Sequence, residues 1–118
     1  MSDLEIRVET VEGKVPVTVI HVSGDVDANS HQDLDAKAEE VIKGGARHIL
    51  LDLTNNNYMS SAGFRSMHKI YTALQGKGDD SAVKLVNPSD EIKRLMKAMG
   101  FESYFPVFSD LNEAVGAF

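Results

Sequence analysis

The stretch RHILLDL, Arg47–Leu53, is a nearly continuous apolar run of strand length, and it restricts the possible folds more than any other segment. A strand with this pattern is covered on both faces, as is a central strand of a sheet that helices flank. Two further strand-like segments precede it. Leu4–Gly13 alternates apolar and polar residues and Val15–Gly24 is β-branched throughout, so the pair predicts a hairpin that turns near Gly13 and Lys14.

Segments with helical spacing separate the later strands. The polar break GDVDANS ends in Ser30, which is predicted to cap a helix over His31–Lys43 that Gly44 and Gly45 terminate. A second helix is predicted beyond Gly63. The apolar stripes of these helices are Leu34, Ala38, Val41 and Ile42 in the first, and Phe64, Met67, Ile70, Tyr71 and Leu74 in the second.

The C-terminal third continues the alternation of strand and helix. Ala82–Val86 predicts a strand, and Asn87 is expected to cap the helix that Gly100 terminates. Ser103–Phe108 predicts the last strand, and Ser109 is expected to cap a short closing helix. The predicted buried stripe of the longer helix is Ile92, Leu95, Met96 and Met99.

The predicted order of elements is β-β-α-β-α-β-α-β-α, in which strands and helices alternate after the hairpin. That order favours an α/β fold: a mixed β-sheet with an N-terminal hairpin, parallel crossovers and helices packed on the sheet. The segment Gln75–Ser81 is predicted to be a flexible surface loop. No repeat or linker divides the sequence, so residues 1–118 are expected to form one domain.

The composition argues against several classes of function. With no cysteine among its 118 residues, the chain has no disulfide, no Cys-based zinc site and no thiol catalysis. Its formal charge of −6 disfavours nucleic-acid binding, which needs a basic surface to meet phosphates. The apolar runs are too short to cross a bilayer and the first residues lack a secretory signal, so we expect a cytoplasmic protein without membrane insertion.

Metal and nucleotide sites are not expected either. The histidines form no H-E-x-x-H pair, and His21 and His48 lie in predicted strands, where a packed or edge imidazole is the favoured interpretation. The sequence contains neither a G-x-x-x-x-G-K-[ST] loop nor a G-x-G-x-x-G loop. We therefore predict no metal and no cofactor.

Two constellations could be taken for catalytic groups. Asp25 and Asp27 could form a carboxylate pair, but a solvated, turn-forming pair is favoured after a strand. A Ser-His-Asp triad would recruit Ser61 and His68, which are separated by about 10 Å of rise along one helix. The surrounding SSAGF is also not a nucleophile elbow. The chain is therefore predicted not to be an enzyme.

Ser60 and Ser61 stand where the second helix begins, and the residues alone leave two interpretations open. In the first, Ser60 caps the helix and Ser61 is an exposed residue of its first turn. In the second, Ser61 is phosphorylated, which would add about −1.5 to −2 charges beside free backbone N–H groups and the positive end of the helix dipole. The fold would tolerate that change, whereas a docked partner would meet new charge and bulk.

The element order and the stretch ILLDLTNNNYMSSAGFRSM together resemble the STAS domain, the family of bacterial anti-sigma-factor antagonists. That family typically shows an apolar strand ending in D-L-[ST], and then [YF]-[MI]-D-S-[STA]-G-[LF] at the start of a helix. The matches are Asp52-Leu53-Thr54 for the first part, Tyr58-Met59 and Ser61-Ala62-Gly63-Phe64 for the second, and Gly24, Val26 and Asp27 for an upstream G-x-[LIV]-D loop. The closing strand, helix, strand and helix also match, so the resemblance covers nearly the whole chain.

The resemblance implies a partner switch. In such a switch the unphosphorylated protein binds a serine-kinase anti-sigma factor, which releases its sigma factor; phosphorylation ends the binding and a phosphatase resets it. Ser61 is the matching acceptor and Ser60 the second choice. The expected partner-binding residues are Asp25, Asp27, Ser60, Ser61, Gly63, Phe64, Arg65 and His68, with Gly63 and Phe64 on the helix surface. A monomer is expected when the protein is free.

The sequence departs from the family pattern at two positions. Ser60 stands where the family usually has Asp, and Arg65 stands where a small Gly is frequent. A hydroxyl can cap a helix as a carboxylate does, so the first departure does not threaten the fold. Both departures bear on partner recognition. They leave open an alternative function: a STAS scaffold subunit of a transporter-associated or signalling assembly that is not phosphorylated.

Overall fold

The structure, a computed structural model, describes residues 4–78 and 81–118. The strands are β1 (Glu5–Glu12), β2 (Pro16–Val26), β3 (His48–Asp52), β4 (Asn56–Met59), β5 (Ala82–Val86) and β6 (Val107–Phe108). The helices are α1 (His31–Lys43), α2 (Ser61–Gln75), α3 (Asp90–Ala98) and α4 (Leu111–Gly116).

The sheet is mixed, and its strands lie in the order β1-β2-β3-β5-β6. The pair β1–β2 is an antiparallel hairpin, and the pairs β2–β3, β3–β5 and β5–β6 are parallel. The apolar run of β3 lies in the middle, where Ile49, Leu50 and Leu51 are completely buried. The predicted α/β fold with an N-terminal hairpin and parallel crossovers is therefore confirmed.

The two faces of the sheet are covered by different helices. Since side chains alternate along a strand, Ile20, Ile49 and Leu51 face one way and join the core formed with α1, α2 and α3. Val19 and Leu50 face the other way, into a smaller core to which α4 contributes. The first face supports α2, whose N-terminal end carries the two serines.

The polar segment after β2 is shorter than predicted, because β2 continues through Gly24 and Asp25 to Val26. The predicted polar turn TNNN is also partly wrong, because β4 begins at Asn56 and pairs in parallel with the end of β2. The Asn56 side chain explains why this segment is ordered as a strand. Buried between the strands, it donates to the Gly24 carbonyl at 2.7 Å and to the Tyr58 carbonyl at 3.0 Å.

Three helix starts differ from the predicted caps. Ser30 precedes α1, but its hydroxyl makes no cap hydrogen bond and donates instead to the Asp25 carbonyl at 2.8 Å. Ser89, and not Asn87, caps α3 by accepting from the Ile92 amide at 3.2 Å. Asp110 replaces the predicted Ser109 as the cap of α4. At α3 and α4 a polar residue one or two positions away from the predicted cap has the extended backbone of a capping residue, whereas Ser30 has helical backbone angles.

Other boundaries differ near the C-terminus. Ile92 and Met96 of α3 are buried, whereas Leu95 and Met99, predicted to be buried with them, are 37% and 42% exposed. The helix therefore presents only one line of residues to the core. The predicted last strand shortens to Val107–Phe108. Of the predicted loop Gln75–Ser81, Gln75 ends α2, and residues 79 and 80 lie outside the described residues.

Among the helices in the described ranges, none is both long enough and apolar enough to pass through a bilayer.

Candidate functional site

The N-terminal end of α2 is fixed by Ser60. Its backbone N–H donates to the Val26 carbonyl at 2.8 Å, which ties the helix start to the end of β2. Its side-chain oxygen accepts from the Gly63 amide at 3.4 Å, and its ψ of 175° is the extended geometry of a capping residue. The predicted cap at Ser60 is therefore confirmed.

Ser61 is the first residue of α2 and is exposed. Within residues 4–78 and 81–118, no hydrogen-bond partner is found for its hydroxyl. The first amides of a helix have no partner of their own within the helix, and the helix dipole is positive there. The Ser61 oxygen is thus accessible and stands in a local field that favours negative charge.

Gly63 and Phe64 do not lie on the surface as predicted. A Cβ atom at Gly63 would stand 2.5 Å from the Met59 Cγ and 3.1 Å from the Val26 carbonyl oxygen. Phe64 is 1% exposed and belongs to the main core. Both residues lie on the buried side of α2. Gly63 lets the helix approach the strands closely, and Phe64 packs the first turn of the helix into the core.

Ser61, Arg65 and His68 are exposed and follow one another at helical spacing along one side of α2. The His68 ring stacks on Phe101, with ring centroids 5.6 Å apart and planes inclined by 11°. A shallow cavity of about 290 Å³ opens beside this stripe, and it is lined by His31, Ala62, Arg65, Ser66, His68, Lys69 and Phe101. The structure therefore brings the predicted Arg65 and His68 onto one surface with Ser61.

Two acidic residues adjoin the strand end to which the start of α2 is bonded: Asp25 lies in β2, and Asp27 lies in the turn between β2 and α1. The Asp27 carboxylate accepts hydrogen bonds from the Asn29 amide at 2.9 Å, the Ser30 amide at 3.1 Å and the Ser30 hydroxyl at 3.1 Å. The hydrogen bond from Asn29 and those from Ser30 lower the Asp27 pKa. The Asp25 carbonyl accepts from the same Ser30 hydroxyl. Asp27 therefore forms the turn as predicted, whereas the turn-forming interpretation of Asp25 is wrong, because Asp25 pairs with Tyr58 as a residue of β2.

Sequence reasoning missed Tyr58 as a candidate binding residue. Its side chain is 48% exposed, while the next residue of β4, Met59, is buried. Tyr58 pairs with Asp25 of β2, and β4 leads through Met59 and Ser60 directly into α2. The signal was the alternation of Tyr58 and Met59, which could be recognised only once Asn56–Met59 was known to be a strand.

A separate polar cluster lies on the other face of the sheet. His21 is 14% exposed and connects three strands: its Nδ1 is 2.6 Å from Asp52 Oδ2, and its Nε2 is 2.5 Å from Glu9 Oε2. The His21 hydrogen bond lowers the Glu9 pKa. Burial raises the Asp52 pKa, but hydrogen bonds from Thr54 and His21 outweigh it and the net pKa is lowered. His21 is thus the packed imidazole predicted from its strand position.

Over the described ranges, no group of three or more His, Asp or Glu side chains is arranged to hold a metal ion.

Comparison with known proteins places this chain in a family context. The sequence model of the STAS domain matches residues 6–114. The anti-sigma F factor antagonist of Paenibacillus polymyxa is 28% identical over 109 residues, which cover 92% of this chain and 89% of that relative.

Solved structures show the same fold at lower sequence identity. An anti-sigma factor antagonist from Mycobacterium paratuberculosis superposes with a TM-score of 0.85 at 22% identity, covering 99% of this chain and 97% of the other. The Bacillus cell fate determinant SpoIIAA in its phosphorylated form superposes with a TM-score of 0.74 at 18% identity, covering 96% and 98%.

Proposed function

The chain belongs to the STAS domain family, and from that premise we propose that it is an anti-sigma-factor antagonist that switches partners through phosphorylation of Ser61. Its relative from Paenibacillus polymyxa is an anti-sigma F factor antagonist, which supports the general role. The observation that carries the choice of residue is the helix start: the Ser60 hydroxyl is occupied as a cap, while the Ser61 hydroxyl is exposed.

In the proposed cycle, unphosphorylated protein binds a serine-kinase anti-sigma factor through Asp25 and Asp27, Tyr58 and the exposed side of α2 that carries Ser61, Arg65 and His68. The kinase binds ATP and supplies a base. The Ser61 oxygen bonds to the γ-phosphorus, the bond from that phosphorus to the β–γ bridging oxygen breaks, ADP leaves, and the base takes the hydroxyl proton. A phosphatase later hydrolyses the phosphoserine with water and restores the hydroxyl.

Phosphorylation would end the binding for an electrostatic reason. A phosphoserine carries about −1.5 to −2 charges near pH 7. Ser61 adjoins Ser60, whose amide is bonded to Val26, between Asp25 and Asp27. A partner that accommodates those two carboxylates would therefore meet a third anion at the same place, and juxtaposed like charges cost several kcal/mol in an interface.

The first test incubates the protein with the serine-kinase anti-sigma factor encoded beside it and with ATP, and locates the phosphate by mass spectrometry. We expect modification at Ser61, lost in Ser61→Ala and kept in the control Ser60→Ala. A kinase that binds the protein but modifies neither serine would refute the switch and favour the scaffold function. That alternative is considered because Ser60 and Arg65 depart from the family pattern.

The second test measures partner binding without phosphorylation. Ser61→Asp is expected to weaken association with the same kinase about tenfold or more, because the new charge lies at the docking surface. Its melting temperature should move by less than about 4 °C, since the position is exposed and acidic residues suit a helix N-terminus. Extensive unfolding would show that Ser61 has a structural role instead.

A further inference from the structure

We propose that Arg65 captures the phosphate of phosphorylated Ser61 within the same chain, so that the modified protein carries an internal Arg–phosphate pair. The physiological setting of this pair rests on the function proposed above, but its geometry can be tested without a kinase.

Helical spacing places the two side chains together. Ser61 and Arg65 are four residues apart in α2, and both are exposed. Residues at this separation have Cβ atoms about 5–6 Å apart on one side of a helix. The long arginine side chain can therefore place its guanidinium beside a phosphate on the Ser61 oxygen, where the planar group can donate two hydrogen bonds.

Arg65 is free to make this contact. Across residues 4–78 and 81–118, no carboxylate pairs with its guanidinium and no carbonyl accepts a hydrogen bond from it. Arg47, by contrast, donates to the Ile42 and Ala46 carbonyls. Lys69, on the same helix, is 3.2 Å from Asp35. The chain has a formal charge of −6, so acidic groups are more numerous than basic ones. An exposed arginine that has no acidic partner among the described residues is therefore unusual, and this one lies four residues from Ser61.

The charges around Ser61 direct a phosphate towards Arg65. Asp25 and Asp27 flank Val26 in the sequence, and the Val26 carbonyl accepts from the amide of Ser60, the residue before Ser61, so both acidic residues belong to the segment that adjoins the start of α2. The titratable side chains that line the cavity beside α2 are all cationic or imidazole groups, namely His31, Arg65, His68 and Lys69. Asp35 approaches the same cavity side chains, but His31 at 3.3 Å and Lys69 at 3.2 Å accompany its carboxylate.

The capture would change two features of the docking surface together. Phosphorylation adds the negative charge considered above, and the paired guanidinium is withdrawn from contact with a partner. Arg65 stands where a small Gly is frequent in the family, so this chain would carry a device that a glycine cannot provide. The pair would also hold the phosphate over α2 in one orientation.

The test installs phosphoserine at position 61 during synthesis, by genetic-code expansion, and follows the phosphate by ³¹P NMR over pH 4–9. Because a guanidinium stabilises the dianion, the titration midpoint in the otherwise unaltered protein should lie about half a pH unit below that in Arg65→Gln. Arg65→Lys keeps the charge and should recover part of the shift. Equal midpoints in the parent and Arg65→Gln would overturn the proposal.

Lys77→Gln is the matched control, because it removes the same unit charge just beyond the other end of α2. The helix has 15 residues and is therefore about 22 Å long, so this charge is largely screened from Ser61. We expect the midpoint of Lys77→Gln to equal that of the parent. A shift as large as that in Arg65→Gln would show an effect of net charge alone and would also overturn the proposal.

The NMR titration tests the Arg65–phosphate pair independently of the proposed function, because the phosphate is installed without the kinase. A shifted midpoint together with a kinase that leaves Ser61 unmodified would support the pair and refute the switch. Modification by the kinase together with unshifted midpoints would refute the pair and support the switch.

Discussion

Gly63 shows how a single residue sets the position of the site. Its missing side chain lets the first turn of α2 lie against β2 and β4, with the Val26 carbonyl oxygen 3.1 Å from where a Cβ would stand. Ser60 and Ser61 are held at this junction. Glycine inside a helix is ordinarily unfavourable, so its presence here reflects the close approach and not a helical preference.

We predict that Gly63→Ala lowers the free energy of unfolding by about 1–3 kcal/mol, because the added methyl group meets the Met59 side chain and a backbone atom that cannot move away. Urea denaturation measures the change. Gly116→Ala is the control: it is also helical, but its added methyl group meets no atom within 4 Å. Equal effects in the two variants would contradict the close-approach explanation.

Residue-scale predictions from the sequence were accurate where only local spacing mattered. Ser60 as cap and Ser61 as the exposed first residue of α2 followed from the motif and the helix start. The placement of Phe64 was wrong, although its membership of the apolar stripe had been predicted correctly. The spacing of residues along a helix shows which of them share a face. Which face is buried depends on the elements that pack against the helix.

At the scale of one element, the stability of α2 depends on how its first turn is capped. The Ser60 oxygen accepts from the Gly63 amide, whereas the neighbouring Ser61 hydroxyl has no partner among the described residues. The family motif usually has Asp at the first of these positions, and a carboxylate can accept the same hydrogen bond while also complementing the helix dipole.

We predict that Ser60→Ala destabilises the protein by about 0.5–1 kcal/mol, the lower part of the range for a lost cap, because the 3.4 Å hydrogen bond is long. Ser60→Asp should match or exceed the stability of the parent. Ser61→Ala serves as the comparison and should stay within about 0.5 kcal/mol of the parent in the same denaturation experiment. A loss at Ser61 as large as that at Ser60 would contradict the assignment of the cap.

Element-scale predictions failed where pairing was not local. The strand β4 was predicted as a turn because NNN is rich in turn-forming residues. The buried Asn56 reverses that preference by hydrogen-bonding to the Gly24 carbonyl, 32 residues earlier in the chain. No local pattern could reveal this partner.

At the scale of the whole molecule, the His21 cluster links strands that the chain order separates. His21 of β2 meets Glu9 of β1 and Asp52 of β3 on the sheet face opposite α1 and α2. The Asp52 carboxylate also accepts from the Thr54 amide at 3.0 Å and the Thr54 hydroxyl at 2.5 Å. The lowered pKa of Asp52 couples this arrangement to the stability of the fold.

We predict that Asp52→Asn lowers the free energy of unfolding by about 1 kcal/mol near pH 7, the difference between hydrogen bonds to charged and neutral acceptors. Because the folded pKa lies below the unfolded value, the contribution of Asp52 is present above about pH 4 and is lost as the pH falls through the folded pKa. Urea denaturation between pH 7 and pH 3 should therefore show the two proteins converging at the acid end.

Thr54→Val tests the cause of that pH dependence. It removes one hydrogen bond to the Asp52 carboxylate and keeps the carboxylate and the branched shape of the side chain. The pH dependence should be reduced and not abolished. A difference between the parent and Asp52→Asn that is constant with pH would contradict the role assigned to the carboxylate.

The sequence alone determined the order of most elements, the central position of β3, the mixed sheet with its hairpin and the start of α2, because each depends on local periodicity and capping. Only the tertiary structure decided that β4 pairs with β2, that Gly63 and Phe64 lie beneath the surface and that Leu95 and Met99 remain exposed. It also brought Tyr58 beside Asp25 and tied the end of β2 to the start of α2. These features depend on contacts between residues distant in sequence, which periodicity cannot encode.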